Sequence, residues 1–191
     1  MKTIFLIIST ALPVISPIIY SKAILRGDAK PHRTTRFVLL LINTLAAASL
    51  IAQHNNVAVW LAGVSLLQSI IVFVLSFKYG MGGWTKTDVA CLIIAIAGII
   101  LWQTTNNPVI ALYFAIFADF TGMIPTIIKT YHKPNTEVWS FFLLDSVAGA
   151  FNLLALSAYA IKDFSYPLYI VIINLLMVLL ITKPKTTSLK S

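Results

Sequence analysis

The sequence predicts an all-α polytopic membrane protein with seven transmembrane helices. Of its 191 residues, 59% are hydrophobic and 10% are charged, whereas an average soluble domain is about 45–50% apolar and about 25% charged. The apolar residues form runs close to the roughly 20 that cross a bilayer, and basic residues gather in alternate connections. This composition excludes a soluble globular domain, a disordered chain and a disulfide scaffold.

The predicted spans are 4–20, 37–53, 57–77, 89–103, 108–128, 138–159 and 167–182. We interpret the first as a retained helix rather than a signal peptide, because no small-residue cleavage site precedes Tyr20 and further spans follow. The fourth span is short, and a buried or re-entrant segment is the alternative.

Loop charge decides between these alternatives. With seven crossings, twelve of the 14 lysines and arginines fall on one side, and only Lys2 and Lys162 fall on the other. Without the fourth crossing the division becomes eight against six. The positive-inside rule therefore favours seven helices with the N-terminus outside and the C-terminus inside. The net charge of +8 reflects these loops, and we expect no nucleic-acid partner.

The chain contains an apparent internal repeat. Pro17, near the inner end of helix one, is followed by a basic loop and Lys30-Pro31, and Pro125 in helix five is followed by Lys129 and Lys133-Pro134. We predict a first triple-helix repeat (1–78), a linker helix (79–104), a second repeat (105–183) and a polar cytoplasmic tail (184–191). One linker helix makes the two repeats parallel, as in a class of transporters.

The two repeated prolines are candidate hinges. Proline inside a helix removes one backbone hydrogen bond and bends the helix. Bends at Pro17 and Pro125 would let the two halves rock, although membrane helices also tolerate proline without such a role.

The second repeat resembles the PQ-loop family, most closely its cystinosin-like branch. The likeness rests on about thirty residues: Pro125 to Lys129, Lys133-Pro134-Asn135-Thr136-Glu137-Val138-Trp139-Ser140, Leu143-Leu144-Asp145, Gly149 and Leu153-Leu154. The glutamine of the family's Pro-Gln pair is absent, since Ile18 follows Pro17 and Thr126 follows Pro125. The wider PQ-loop and SWEET-like superfamily shares the 3+1+3 plan. The resemblance implies alternating-access transport, and it implies a proton-coupling role for Asp145.

Two acids lie within predicted spans, Asp119 and Asp145. A carboxylate at the bilayer centre costs about 2.5–3.5 kcal/mol on insertion scales. No lysine or arginine lies inside a predicted span to neutralise either one. We therefore interpret both as proton-coupling residues, and a structural role, in which a protonated carboxyl holds helices together, is the alternative.

Other polar residues in the spans are candidates for substrate binding. Asp145, Gly149 and Asn152 share one stripe of helix six, and Trp60 shares a face of helix three with Gln68. Gln68 and Asn174 occupy the places at which the resemblance to SWEET-like carriers implies a substrate site. The substrate-binding candidates are Asn152, Asn174, Gln68, Trp60 and Asn43. Hydrogen bonding between helices is the alternative for the amides.

The sequence gives no support for catalysis. His32, His54 and His132 are scattered, so we expect no metal site and no cofactor. No Ser/His/Asp or Cys/His group emerges, and the single Cys91 forms no intramolecular disulfide. We expect the protein not to be an enzyme.

The leading hypothesis is a carrier that moves a small polar solute (an amino acid, a sugar or a vitamin precursor) with proton coupling. Its partners would be the lipid bilayer, the solute and protons, and a monomer would contain a complete site. The small size and short loops favour a bacterial inner membrane. The alternative is a non-transporting receptor, scaffold or assembly factor of the same fold, which a close-packed interior would favour.

Overall fold

The computed structural model describes residues 1–27, 31, 33–80, 83–132, 134 and 137–183, with the side chains at positions 125 and 129 excepted. The predicted polar tail, 184–191, lies outside the described residues, as do Lys30 and Lys133 of the repeated basic loops. Within the described part, the chain forms seven α-helices and no strands. The helices are α1 (Lys2–Arg26), α2 (Arg33–Ala52), α3 (Ala58–Tyr79), α4 (Lys86–Thr105), α5 (Pro108–His132), α6 (Trp139–Ala155) and α7 (Ile161–Thr182).

Six of the seven described helices are long and apolar enough to cross a membrane, and α6, with 17 residues, is shorter. At 1.5 Å per residue, α6 is about 26 Å long, close to the roughly 30 Å of a hydrocarbon core. Large apolar side chains face outward along the bundle, including Ile7, Val74, Ile93, Phe117 and Leu179. Lipid, rather than water, suits such a surface. The chain is therefore a multi-pass membrane protein.

The doubtful fourth span is a regular helix of 20 residues, longer than the predicted 15. Its start is fixed by a capping box, in which the Thr85 hydroxyl accepts from the Asp88 backbone N–H at 3.1 Å. The Asp88 carboxylate in turn accepts from the Thr85 backbone N–H at 3.0 Å. This pairing satisfies two of the free donors at the helix N-terminus. The polar first turn extends α4 beyond its apolar segment.

Other helix limits also differ from the prediction, most notably around the α6–α7 connection. Helix α6 ends at Ala155 rather than at 159, and α7 begins at Ile161, six residues before the predicted start. Pro167 consequently lies inside α7. It has no N–H for the carbonyl of Asp163 four residues earlier, and the Asn55 amide donates to that carbonyl at 3.3 Å instead.

Several of the contacts between helices correspond in pairs. Helix α3 contacts both α1 and α2, and α7 contacts both α5 and α6. Between these groups, α1 contacts α6 and α2 contacts α5. Exchanging α1, α2 and α3 with α5, α6 and α7 therefore maps these contacts onto each other. Helix α4 lies outside this exchange, against α5 and α2.

Small residues allow the helices to approach closely. Buried alanines in α2, α3 and α5 form much of the apolar core, including Ala46, Ala62, Ala111 and Ala115. Between α4 and α5, a Cβ at Gly98 would lie 2.6 Å from the Cβ of Phe114. Such close approach is typical of membrane bundles, in which dispersion contacts hold helices together.

We expect Gly98→Ala to lower the free energy of unfolding by about 1–3 kcal/mol, as overpacking generally does. Gly63→Ala in α3 is the matched control, because a Cβ there meets nothing within 4 Å. Both changes remove a glycine from a helix interior, so their difference isolates the α4–α5 contact. Thermal unfolding in detergent measures both, and equal unfolding temperatures for the two variants would contradict this packing.

Candidate functional site

A cavity of about 470 Å³, lined by both polar and apolar side chains, lies between the helices of the bundle. It reaches the surface at the end where Pro31, Thr85 and Glu137 lie, in the α1–α2, α3–α4 and α5–α6 connections. We call this the mouth end, and the opposite end the closed end. Both intramembrane acids, Asp119 and Asp145, line the cavity. It thus joins one surface of the protein to carboxyl groups deep within the helices.

Asp145 projects from α6 toward α1 and α3. The hydroxyl of Ser16 in α1 donates to the Asp145 Oδ1 at 2.8 Å. Gln68 of α3 lines the cavity together with Asp145 and is an electrostatic neighbour of this carboxyl. Three helices therefore meet at one ionisable group, which is where a change of charge would act on their packing.

Ser16 also links Asp145 to the backbone at Pro17, inside α1. Pro17 has no N–H, so the Pro13 carbonyl lacks its usual helical donor. The Ser16 hydroxyl lies 3.0 Å from that carbonyl. A hydroxyl has one hydrogen and serves one acceptor at a time. An ionised Asp145 takes that hydrogen, whereas a protonated Asp145 can donate to Ser16 and leave the hydrogen for Pro13.

Asp119 projects from α5 and accepts a hydrogen bond from the Tyr169 hydroxyl of α7. This contact joins two helices of the second half across the cavity wall. Among the described residues, no group of three His, Cys, Asp or Glu side chains is arranged to hold a metal ion. Asp119 and Asp145 thus each accept a hydrogen bond from a hydroxyl on another helix. A carboxyl in such a place can exchange a proton or bind a polar solute.

Three of the predicted substrate-binding amides line the cavity: Asn43, Gln68 and Asn174. Asn43 Nδ2 donates to the Leu39 carbonyl at 2.9 Å and to the Ser69 hydroxyl at 3.0 Å. Asn174 Nδ2 donates to the Ile170 carbonyl at 2.8 Å. Each asparagine is thus oriented by the carbonyl four residues earlier in its own helix.

The structure places the other two predicted binding residues outside the cavity. Trp60 is 56% exposed on the outer surface of α3. Asn152 is fully buried, and its amide donates to the Val57 carbonyl at 3.1 Å and to Ser9 at 3.3 Å. In this conformation Asn152 joins helices near the closed end and Trp60 faces lipid.

The predicted hinges fall within helices. Pro17 is buried in α1 beside Ser16. Pro125 lies in α5, between the cavity-lining Met123 and Thr126, and its side chain is outside the described residues.

Sequence reasoning missed several cavity residues, although their spacing carried a signal. Ser65, Gln68, Ser69 and Val72 line the cavity from α3 with the i, i+3, i+4, i+7 spacing of one helix face. Gln68 belongs to the predicted face with Trp60, and the other cavity residues of α3 are Ser65, Ser69 and Val72. Tyr169 in α7 lies one turn before the cavity-lining Ile173, and that register marks it as a neighbour of the site.

Near the mouth, Arg36 of α2 donates to the Tyr20 hydroxyl at 2.7 Å and lies over its ring, 5.1 Å from the centroid. Both residues line the cavity. Arg33 instead donates to the Phe77 carbonyl at 3.0 Å and caps the end of α3. The basic residues of the α1–α2 region thus serve different neighbours.

Neutral contacts hold the closed end together. The Ser49 hydroxyl of α2 donates to the Pro108 carbonyl at the start of α5. The Asn55 and Asn152 amides each donate to a backbone carbonyl there, and Ala58 and Ala111 are fully buried. In the described part of the chain, no residue of the closed-end connections lines the cavity. Among the described residues, the cavity lining therefore extends to the mouth end and stops short of the closed end.

Comparison of the chain with models of known families, with curated proteins and with solved structures finds no match. The resemblance to the PQ-loop family stays a prediction that rests on the residues quoted for it.

We expect Tyr169→Phe to destabilise the protein by about 1–3 kcal/mol, because it removes a donor from a carboxyl inside the bundle. Tyr159→Phe is the control, since that hydroxyl bonds to the Leu153 carbonyl on a side chain that is 64% exposed. It should change stability by no more than about 0.5 kcal/mol. Unfolding in detergent compares the two, and a harmless Tyr169→Phe would contradict the role assigned to this contact.

Proposed function

We propose that this protein is a membrane carrier that moves a small polar solute by alternating access. The observation that carries the proposal is the cavity, which holds Asp119 and Asp145 at depth and, among the described residues, is lined by connections of the mouth end and not of the closed end. A site of this kind, between helices and near mid-membrane, is typical of secondary transporters. Closure of the mouth and opening of the closed end would deliver the solute to the other side.

The helix contacts support a 3+1+3 arrangement of two parallel repeats. The pairs α1–α3 and α2–α3 correspond to α5–α7 and α6–α7, and α1–α6 corresponds to α2–α5. Such an exchange is expected for repeats related by an axis along the membrane normal. Helix α4 then acts as the linker, and the charge distribution supports seven crossings with the mouth end inside the cell.

Proton coupling is proposed through Asp145, with Asp119 as the second candidate. The Ser16 hydroxyl lies 2.8 Å from the Asp145 carboxyl and 3.0 Å from the Pro13 carbonyl. Proton uptake at Asp145 would redirect that hydroxyl toward the backbone at Pro17. This contact gives the proposed hinge in α1 a direct connection to the proposed proton site, with Pro125 as its counterpart in α5.

The cavity also bears on the alternative of a receptor, scaffold or assembly factor. A protein that only holds partners needs no polar space at membrane depth, and unfilled polar space costs packing energy. The carrier accounts for the cavity and the scaffold does not. A monomer in a bacterial inner membrane is proposed as the working form, because one chain supplies both sets of three helices.

In proteoliposomes with an internal pH dye, we expect transport of the solute to be accompanied by proton movement across the membrane. Asp145→Asn should abolish the solute-dependent proton movement, because the amide neither binds nor releases a proton. Asp163→Asn is the control, since Asp163 lies in the first turn of α7 and outside the cavity lining. A solute taken up by Asp145→Asn with unchanged pH dependence would overturn coupling at this residue.

Alternating access predicts reciprocal exposure of the two ends. Cys91 is the single cysteine, so Cys91→Ala provides a background without thiols. On that background, Ser69→Cys in the cavity should react with a membrane-impermeant thiol reagent from the mouth side. Ser49→Cys at the closed end should be protected until the protein changes conformation. Protection of both positions from both sides under all conditions would contradict a carrier.

A further inference from the structure

The cavity is acidic although the chain is basic. Four of the six acidic residues line it: Asp88, Asp119, Glu137 and Asp145. Of the 14 lysines and arginines, Arg36 is the one described residue that lines it, and it donates to Tyr20 near the mouth. At depth the acids are Asp119 and Asp145, and these two carboxyls favour a cation beside them and disfavour an anion.

The amides of the cavity are oriented in the same sense. The nitrogens of Asn43 and Asn174 are used by the carbonyls of Leu39 and Ile170. Because a carbonyl only accepts, these contacts identify the nitrogen atoms and leave each amide oxygen for another partner. Asn43 in α2 and Asn174 in α7 thus both offer an amide oxygen as an acceptor, because each amide nitrogen donates to the carbonyl four residues earlier.

Gln68 adds a third amide to the cavity wall. Its amide group can both donate and accept hydrogen bonds. The carboxyls themselves have acceptor capacity to spare, because each holds about four lone-pair positions. Hydroxyls such as that of Ser65 can donate or accept, so they do not alter the excess of acceptors over donors in the cavity.

The remaining cavity wall is apolar and includes Leu39, Met123, Phe142 and Ile173. A ligand for this site therefore has an apolar body and a head that donates several hydrogen bonds. A carboxylate on the ligand would find no fixed cation at depth among the described residues, and it would lie near Asp119 and Asp145. Like charges in such a site repel strongly.

We propose that the solute is a small organic cation, with an ammonium or amidinium head and no carboxylate. This inference rests on the proposed carrier function and narrows its substrate to amines, to the exclusion of amino acids and sugars. The ammonium hydrogens would meet the amide oxygens of Asn43 and Asn174, and the positive charge would lie against Asp145.

Matched ligand pairs test this directly. Equilibrium binding to the detergent-purified protein would be measured by calorimetry for cadaverine against lysine and for phenethylamine against phenylalanine, with glucose as a neutral solute. Within each pair the amine and the amino acid differ by one carboxylate. We expect saturable amine binding at least tenfold tighter than that of the matching amino acid, and no binding of glucose.

Variants locate the binding. Asn174→Ala should weaken amine binding at least tenfold, and Asp145→Asn should do the same by removing the charge. Asn107→Ala, in the α4–α5 connection at the closed end, is the control and should bind as the parent does. Thermal unfolding without ligand identifies a misfolded variant, and the ligand pairs on the parent protein then still decide the question.

An amino acid that binds as tightly as its amine, preferred binding of glucose, or binding of none of these compounds overturns the inference. The two proposals fail separately. Amine binding without uptake into proteoliposomes supports the ligand class and overturns the carrier. Proton-coupled uptake of a sugar or an amino acid supports the carrier and overturns the ligand class.

Discussion

Lipid offers no hydrogen bonds, so every polar group within the hydrocarbon layer has to find its partner inside the protein. The rest of this structure depends on that constraint. It explains why the described chain is helical and why serines in α1 and α3 donate to carbonyls of their own helices. It also explains why each intramembrane carboxyl has a hydroxyl partner on another helix. Around the cavity, the amide oxygens of Asn43 and Asn174 are left available as hydrogen-bond acceptors.

Prolines sharpen the constraint, because each one releases a carbonyl that lipid cannot satisfy. The carbonyl released by Pro17 lies next to the Ser16 hydroxyl, and that released by Pro167 accepts from the Asn55 amide. Both solutions bring a polar side chain to a proline within a helix. At Pro17 the same Ser16 hydroxyl also hydrogen-bonds to the Asp145 carboxyl. The Pro13 carbonyl and the Asp145 carboxyl therefore compete for one hydrogen atom. The hydroxyl that satisfies the released carbonyl is thus also the one that acts in the proposed mechanism.

The fold class and the two acids could be predicted because they depend on composition. An acid within a run of apolar residues is conspicuous whatever surrounds it, as Asp119 and Asp145 are. The start of α4 was missed because hydropathy discounts the polar residues of its first turn, although the Thr85 and Asp88 spacing is a capping signal. The capping residues therefore indicated the start of α4, whereas a search for apolar residues alone did not.

The placement of the amides could not be predicted, because it depends on tertiary contacts. Asn152 and Asn174 are the same residue type in neighbouring helices, yet one donates to the Val57 carbonyl and the other lines the cavity. Trp60 faces outward because, in a membrane, an apolar helix face is equally suited to lipid and to a neighbouring helix. Sequence periodicity predicts which residues share a helix face. Only the packing of the helices determines whether that face contacts lipid, another helix or the cavity.

The closed end of the bundle has a consequence for how the protein would respond to its surroundings. Asn55, Asn152 and Ser49 hold it through hydrogen bonds to backbone carbonyls, and none of these groups carries a full charge. Dissolved ions screen charges, and a membrane potential acts on charge that moves across it. Separation of these neutral contacts is therefore indifferent to ionic strength and to voltage. Any electrical sensitivity of the cycle belongs to the steps that move Asp119, Asp145 or a charged solute.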